Sequence, residues 1–92
     1  MKEQRKQFLY ANTENLLLDS ARGNGEYINA LAQLSGCRNE VANKIFARTI
    51  QQNFERIYFE GVKSATPEKI GPRIDKLIKL NARLRYACKI TS

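Results

Sequence analysis

The apolar residues of this chain recur with a helical period along nearly its whole length, and no stretch alternates like a β-strand between turn residues. A chain of 92 residues can build only one hydrophobic core. We therefore predict a single all-α domain over residues 1–92, a compact bundle of four or five helices. Residues 1–6 are expected to form a flexible N-terminal tail.

Turn-forming residues divide the first two thirds of the chain. Gly23, Gly25 and Gly36 each tolerate the positive φ angles found where helices end. Asn39 has the side chain of an N-cap, which accepts a hydrogen bond from a free backbone N–H. The helices predicted from these signals cover residues 5–22, 26–35 and 40–59.

The last third begins with a helix-start signal, Thr-Pro-Glu at residues 66–68. Gly71 and Pro72 interrupt it, because proline removes a backbone donor and disfavours a helical conformation in the residue before it. Two alternatives follow: a helix that starts at Pro72, or one helix kinked there. The helix is expected to end near Leu80, with a last short helix over residues 82–89.

The positive charge lies almost entirely in this last third. The chain has 16 Lys and Arg and nine Asp and Glu, a net charge of +7, but residues 1–60 contribute only eight basic against seven acidic residues. Helical spacing places five cations of the last third within an arc of about 120°, beside an apolar arc. These are Lys69, Arg73, Lys76, Lys79 and Arg83, and Arg85 follows them.

A basic helix face has two interpretations. It can be a solvated surface that keeps a small domain in solution, or a binding surface for a polyanion. The polyanion could be an acidic protein, an anionic lipid surface or nucleic acid, the last through phosphate contacts that salt weakens. We predict this face, with Arg85, as the anion-binding or partner-binding site.

Catalysis is disfavoured by composition, because a chain without histidine has no Ser-His or Cys-His pair and no imidazole metal ligand. The acidic pairs Glu14 with Asp19 and Glu55 with Glu60 are five residues apart and do not share a helix face well. We expect no enzyme activity, no metal site and no cofactor. The aromatic residues recur at helical spacing and are predicted in the core, where any exposed ring would indicate a partner groove.

Residues 31–45 look superficially like a helix-turn-helix, with Ala32 and Gly36 at the spacing of that motif. The second helix presents Ala42 where a large aliphatic residue is expected, with Val41 one residue out of register. Ordinary packing of two helices explains the same pattern. In a DNA-binding interpretation, the side chains facing the major groove would be Arg38, Asn39, Asn43 and Lys44.

The run Arg22-Gly23-Asn24-Gly25-Glu26 is the most unusual local motif. Two glycines before a helix can hold an anion at the helix N-terminus, with Arg22 as a counter-charge. The alternative is a tight turn in which Arg22 and Glu26 pair with each other or with backbone groups. The run lacks the lysine and hydroxyl of a phosphate loop.

The two cysteines, Cys37 and Cys88, also leave two alternatives open. In the cytosol they would be half-buried thiols, whereas in a periplasm they would form a disulfide worth roughly 4 kcal/mol. No stretch is long and apolar enough to cross a membrane, and the first residues lack the features of an export signal. We expect a periplasmic or secreted location if an export signal has been removed, and a cytoplasmic one otherwise.

The motif at residues 21–27, Ala-Arg-Gly-Asn-Gly-Glu-Tyr, resembles a family of bacterial secreted proteins of uncharacterised function that carry Ala-Arg-Gly-x-Gly-Glu between helices. The similarity extends from about Phe8 to Tyr86. It implies an all-helical periplasmic or envelope-associated domain with no established activity, from which this chain departs by its strongly basic last third.

These observations favour a non-catalytic interaction module of the bacterial cell envelope. Its basic C-terminal face would contact an acidic partner or an anionic surface. The alternative is a small nucleic-acid-binding protein that uses the same face or the degenerate helix-turn-helix.

Overall fold

The computed structural model describes residues 2–61 and 66–88, and within these residues the fold is all-helical. The all-α prediction is confirmed, with more helices than the four or five expected. The seven helices of the described residues are α1 (Lys2–Ala11), α2 (Thr13–Arg22), α3 (Glu26–Leu34), α4 (Glu40–Gln52), α5 (Phe54–Ile57), α6 (Pro67–Leu80) and α7 (Ala82–Ala87).

The additional helices arise at two asparagines, Asn12 and Asn53, that interrupt stretches predicted to be continuous. At each break the asparagine side chain donates to the carbonyl four residues earlier, Phe8 in one case and Thr49 in the other, at 3.1 and 2.8 Å. A short amide that bonds to its own helix in this way competes with the backbone ladder. The helical period survives each break, so the periodicity alone does not reveal it.

Most of the segment predicted as an N-terminal tail is helical in the structure. Residues 2–11 form α1, and the Arg5 side chain is only 7% exposed. Its guanidinium donates to both carboxylate oxygens of Asp75, at 2.7 and 3.1 Å, and lies 3.4 Å from Ser35 Oγ. This pairing joins the first turn of α1 to a residue 70 positions away, which no local pattern indicates.

Gly71 and Pro72 lie inside one helix, since α6 runs without interruption from Pro67 to Leu80. The alternative of a helix that begins at Pro72 is therefore wrong. Gly71 is buried, and its lack of a side chain matters because a Cβ there would lie 3.3 Å from Arg5 Nη2. The glycine thus makes room for the buried guanidinium.

The core is built from side chains of all seven helices of the described residues. Its fully buried large side chains are Leu16, Ile28, Leu31, Phe46, Ile50, Ile57, Ile74 and Leu84. Because α7 contacts both α4 and α6, its buried Leu84 fastens the last basic residues to the bundle. Residue 89, which the sequence assigns to the last helix, lies outside the described residues.

A disulfide joins Cys37 to Cys88, with both residues almost completely buried. It links the turn between α3 and α4 to the end of α7, and the two cysteines also form an isolated antiparallel backbone bridge. Of the two alternatives, the structure has the bridge rather than half-buried thiols. The loop-entropy estimate for a closed loop of this length is roughly 4 kcal/mol.

No helix in the described part of the chain has the length and apolarity needed to cross a membrane.

Candidate functional site

The predicted basic face is not one continuous surface. Helix α6 carries Lys69, Arg73, Lys76 and Lys79 but ends at Leu80, and Asn81 has an extended backbone with φ −96° and ψ 114°. The Asn81 side chain then accepts hydrogen bonds from the backbone N–H groups of residues 83 and 84, at 3.0 and 3.1 Å, and caps α7. Arg83 and Arg85 therefore belong to a second helix, so the six predicted cations do not share one helix.

The N-terminal half of α6 has its charges paired within the molecule. Glu60 lies 3.4 Å from Lys69 Nζ and accepts a hydrogen bond from the Arg73 guanidinium. The hydrogen bond from Arg73, supported by Lys69, holds the pKa of Glu60 below its ordinary value of 4.5. Arg73 Nη1 also donates to the Ile57 carbonyl at 2.8 Å, so this side chain connects α5 to α6.

The two acidic residues of the last third are likewise engaged with α1. Asp75 holds the buried Arg5, as described above, and Glu68 accepts a hydrogen bond from the Tyr10 hydroxyl and lies 3.6 Å from Lys6 Nζ. The hydrogen bond from Tyr10 lowers the pKa of Glu68, and the same contact raises the pKa of Tyr10. Neither carboxylate neutralises the cations that follow it on α6.

The C-terminal half of α6 and α7 present a different environment. Lys76, Lys79, Arg83 and Arg85 are all exposed, and no carboxylate of residues 2–61 or 66–88 lies within 4.0 Å of their charged groups. Of the six predicted binding residues, these four keep their charge available to a partner, whereas Lys69 and Arg73 share Glu60.

A small cavity of about 190 Å³ lies beside this unpaired region, and we name it the basic slot. Its rim carries Arg56, Arg73 and Lys76, and no carboxylate of the described residues lines it. Its apolar side is formed by Ile57, Leu77 and Leu80. The Leu80 side chain, at the end of α6, is 73% exposed. The slot thus joins positive charge to an uncovered apolar surface.

The aromatic residues were predicted in the core, but only some of them lie there. Phe46 and Tyr58 are buried and Phe54 packs at the edge of the core, but Phe59 is 69% exposed. Its ring centroid lies 4.6 Å from Cζ of Arg73, a cation–π contact on the rim of the basic slot.

The turn at residues 22–26 has a structural explanation. Asp19 Oδ2 accepts hydrogen bonds from the backbone N–H groups of Tyr27 and Ile28, at 2.8 and 3.2 Å, and so caps α3. Gly25, at φ 134°, makes this possible, because a Cβ there would lie 2.3 Å from the Asp19 carboxylate. The N-terminus that could have held an external anion is occupied by the chain's own carboxylate.

Gln51 completes the other side of this turn. Its amide donates to the carbonyls of Ala21 and Arg22 at the end of α2, at 3.2 and 3.1 Å, and a Cβ on Gly23 would overlap it. Arg22 and Glu26 are both exposed and make no ion pair among the described residues, so the predicted pairing between them is absent. The sequence analysis did not identify either capping residue. The position of Asp19 on the apolar side of α2 was a signal that could have revealed one of them.

The helix-turn-helix interpretation loses support from the burial and hydrogen bonds of its own residues. Ala42 is fully buried and Val41 is 67% exposed, so the register mismatch seen in the sequence is present in the fold. Asn39 accepts a hydrogen bond from the Ala42 N–H at 2.8 Å and caps α4, as predicted, and Asn43 is half-buried. Of the four side chains assigned to the major groove, Asn39 is therefore engaged in capping its own helix and Asn43 is partly covered.

The fold and surface define a small all-helical domain with an internal disulfide and an unpaired basic end. A family model described as a protein of unknown function, DUF3015, matches residues 1–88, and the chain belongs to that family. No curated protein and no solved structure matches it.

Proposed function

We propose that this protein is a non-catalytic interaction module of the bacterial cell envelope that binds an acidic protein segment in the basic slot. The observation that carries the proposal is the combination, in one small cavity, of Arg56 and Lys76 with the exposed Leu80. The envelope location is supported by the resemblance of residues 21–27 to secreted proteins and by a buried disulfide, which persists best in an oxidising compartment.

The slot suits a segment in which acidic residues flank an apolar side chain. A leucine or phenylalanine would cover the surface formed by Ile57, Leu77 and Leu80, while its acidic neighbours would meet Arg56 and Lys76. Charge complementarity would guide the approach, and burial of the apolar side chain would slow dissociation. A purely anionic surface would use the charges but leave the apolar side of the slot uncovered.

Fluorescence anisotropy with a labelled peptide of one leucine between glutamates tests this proposal. The double variant Arg56→Gln/Lys76→Gln should bind about tenfold or more weakly, the loss expected for two charge-assisted contacts. The control Arg22→Gln/Arg85→Gln removes the same net charge outside the slot and should change affinity about twofold. Equal losses in both variants would contradict a defined site.

Two further probes separate the other polyanions. Vesicles of phosphatidylglycerol test an anionic membrane surface, and a short DNA duplex tests nucleic acid, each at two salt concentrations. The proposal expects the peptide to compete with either probe for the slot and to bind more tightly. Tighter binding to vesicles or to DNA, unaffected by Arg56→Gln/Lys76→Gln, would overturn it in favour of that partner.

A further inference from the structure

A second cavity, of about 600 Å³, opens between α4, the turn that joins α2 to α3, and the start of α7. It shares no lining residue with the basic slot. We name it the polar groove, after the charged and carboxamide side chains that dominate its lining. The side chains that matter for its chemistry are Asn24, Asn29, Lys44, Arg48, Gln52 and Arg83.

The charge of the polar groove is positive and largely uncompensated. Arg48 and Arg83 have no carboxylate within 4.0 Å among the described residues, and no acidic side chain lines the groove. Lys44 lies 4.0 Å from Glu40, but these side chains are 79% and 85% exposed, so solvent screens the pair. A ligand that fits this lining is therefore an anion.

Three of the four carboxamides that line the groove are available as well, whereas Asn81 caps α7. Asn24, Asn29 and Gln52 are exposed, and their side chains make no hydrogen bond to another residue of the described chain. The adjacent Gln51, by contrast, is committed to capping α2. A carboxamide both donates and accepts, which matches the hydroxyl group of a sugar.

We infer that the polar groove binds an acidic saccharide, a hydroxyl-rich molecule that carries carboxylate or phosphate groups. The cations at Lys44, Arg48 and Arg83 would meet its charges, and the three carboxamides its hydroxyls. Its volume lies in the range of small-molecule sites, about 300 to 1,000 Å³. Among the described residues no aromatic ring lines the groove, so they offer no stacking surface of the kind with which proteins hold nucleic-acid bases.

The test is an NMR titration of the amide resonances, with tetragalacturonate as the carboxylated probe and glucose 1,6-bisphosphate as the phosphorylated one. Saturable shifts should appear around residues 24, 29, 48 and 83 with at least one of them. The stronger binder identifies the source of the charge. Maltotetraose, an uncharged sugar of the same length as the first probe, should bind at least about tenfold more weakly.

Two variants with the same charge change separate a site from general attraction. Arg48→Gln lies in the groove and should weaken binding about tenfold, whereas Arg85→Gln lies outside it and should change binding less than about twofold. Asn29→Ala/Gln52→Ala leaves the net charge unchanged and should also weaken binding of the saccharide, but not of inorganic phosphate. Each variant should keep the amide spectrum of a folded protein.

Equal losses for Arg48→Gln and Arg85→Gln would overturn the inference, because they would indicate unspecific charge attraction. Equal binding of maltotetraose, or no saturable shift with either charged probe, would overturn it too. The double variant Arg56→Gln/Lys76→Gln should leave saccharide binding intact. A result against the saccharide site in the polar groove can therefore be distinguished from a result against the peptide site in the basic slot.

Discussion

Each half of α6 carries two of the predicted cations, but only those of the first half pair with a carboxylate of the described residues. In the first half Lys69 and Arg73 share Glu60, and the Arg73 side chain is only 25% exposed. In the second half Lys76 and Lys79 are exposed and have no carboxylate within ion-pair distance among the described residues. Lys69 and Lys76 are seven residues apart, on the same side of the same helix, yet only Lys76 is unpaired.

The difference shows that a basic helix face in a sequence is not yet a basic surface. The excess charge of the last third is reduced near the start of α6, where Glu60 pairs with Lys69 and Arg73. It remains at the end of α6 and on α7, where no described carboxylate lies within ion-pair distance of the cations. The unpaired positive charge therefore lies toward the C-terminal half of the predicted stripe.

The largest expected effect is on the disulfide that fastens the unpaired region to the bundle. Cys37→Ser/Cys88→Ser should lower the free energy of unfolding by roughly 4 kcal/mol, because the unfolded chain regains the freedom of a long loop. Urea unfolding followed by circular dichroism measures this loss. Reduction of the unaltered protein should reproduce it, whereas a loss below about 1 kcal/mol would mean that α7 is held without the disulfide.

The second effect concerns the most deeply paired cation. Arg5→Gln should destabilise the fold by about 3 kcal/mol, because it leaves the Asp75 carboxylate without its buried partner. Lys76→Gln, beside Asp75 in the sequence, should change stability by less than about 0.5 kcal/mol. Similar unfolding midpoints for these two variants would remove the distinction between paired and unpaired charges.

A smaller loss is expected within α6 itself. Arg73→Gln removes the hydrogen bonds to Glu60 and to the Ile57 carbonyl, and it should cost about 1 kcal/mol after allowance for partial exposure. That loss lowers the thermal midpoint by about 5 °C in a domain of this size. Lys79→Gln is the matched control on the same helix and should leave the midpoint nearly unchanged. A larger shift for Lys79→Gln than for Arg73→Gln would reverse the comparison.

The smallest effect is a pH dependence. Because the pKa of Glu60 is lower in the folded protein than its ordinary value of 4.5, its contribution to stability is fully present above about pH 4.5. It is lost as the pH falls through the lowered pKa. In Glu60→Gln, the free energy of unfolding should therefore fall less steeply as the pH drops below 4.5. Near neutral pH, its dependence on pH should be the same as in the unaltered protein. An unchanged slope below pH 4.5 would contradict the pairing of Glu60 with α6.

Local signals predicted much of the fold. The helical period indicates an all-α chain, Gly23 adopts the left-handed conformation of a helix end, and Asn39 caps α4 as its position suggested. The breaks at Asn12 and Asn53 escaped prediction, because an asparagine within a periodic stretch is compatible with either a continuous or an interrupted helix.

The candidate site was predicted less completely, and for a physical reason. Helical spacing places Lys69 and Lys76 on one face, but it does not indicate where Glu60 lies after the chain has turned between α5 and α6. The same holds for Asp75, whose partner Arg5 is 70 residues away. Tertiary contacts decide which charges are neutralised, and these contacts are not encoded in the helical period.

The most direct test compares Lys69→Gln with Lys76→Gln, the same substitution two turns apart on one helix. In the anisotropy assay with the glutamate-flanked leucine peptide, Lys76→Gln should weaken binding about fivefold or more, and Lys69→Gln less than about twofold. Both variants should remain folded by circular dichroism. Equal affinities for the two variants, or a greater loss for Lys69→Gln, would contradict the claim that the unpaired end of α6, and not its paired start, contributes to binding.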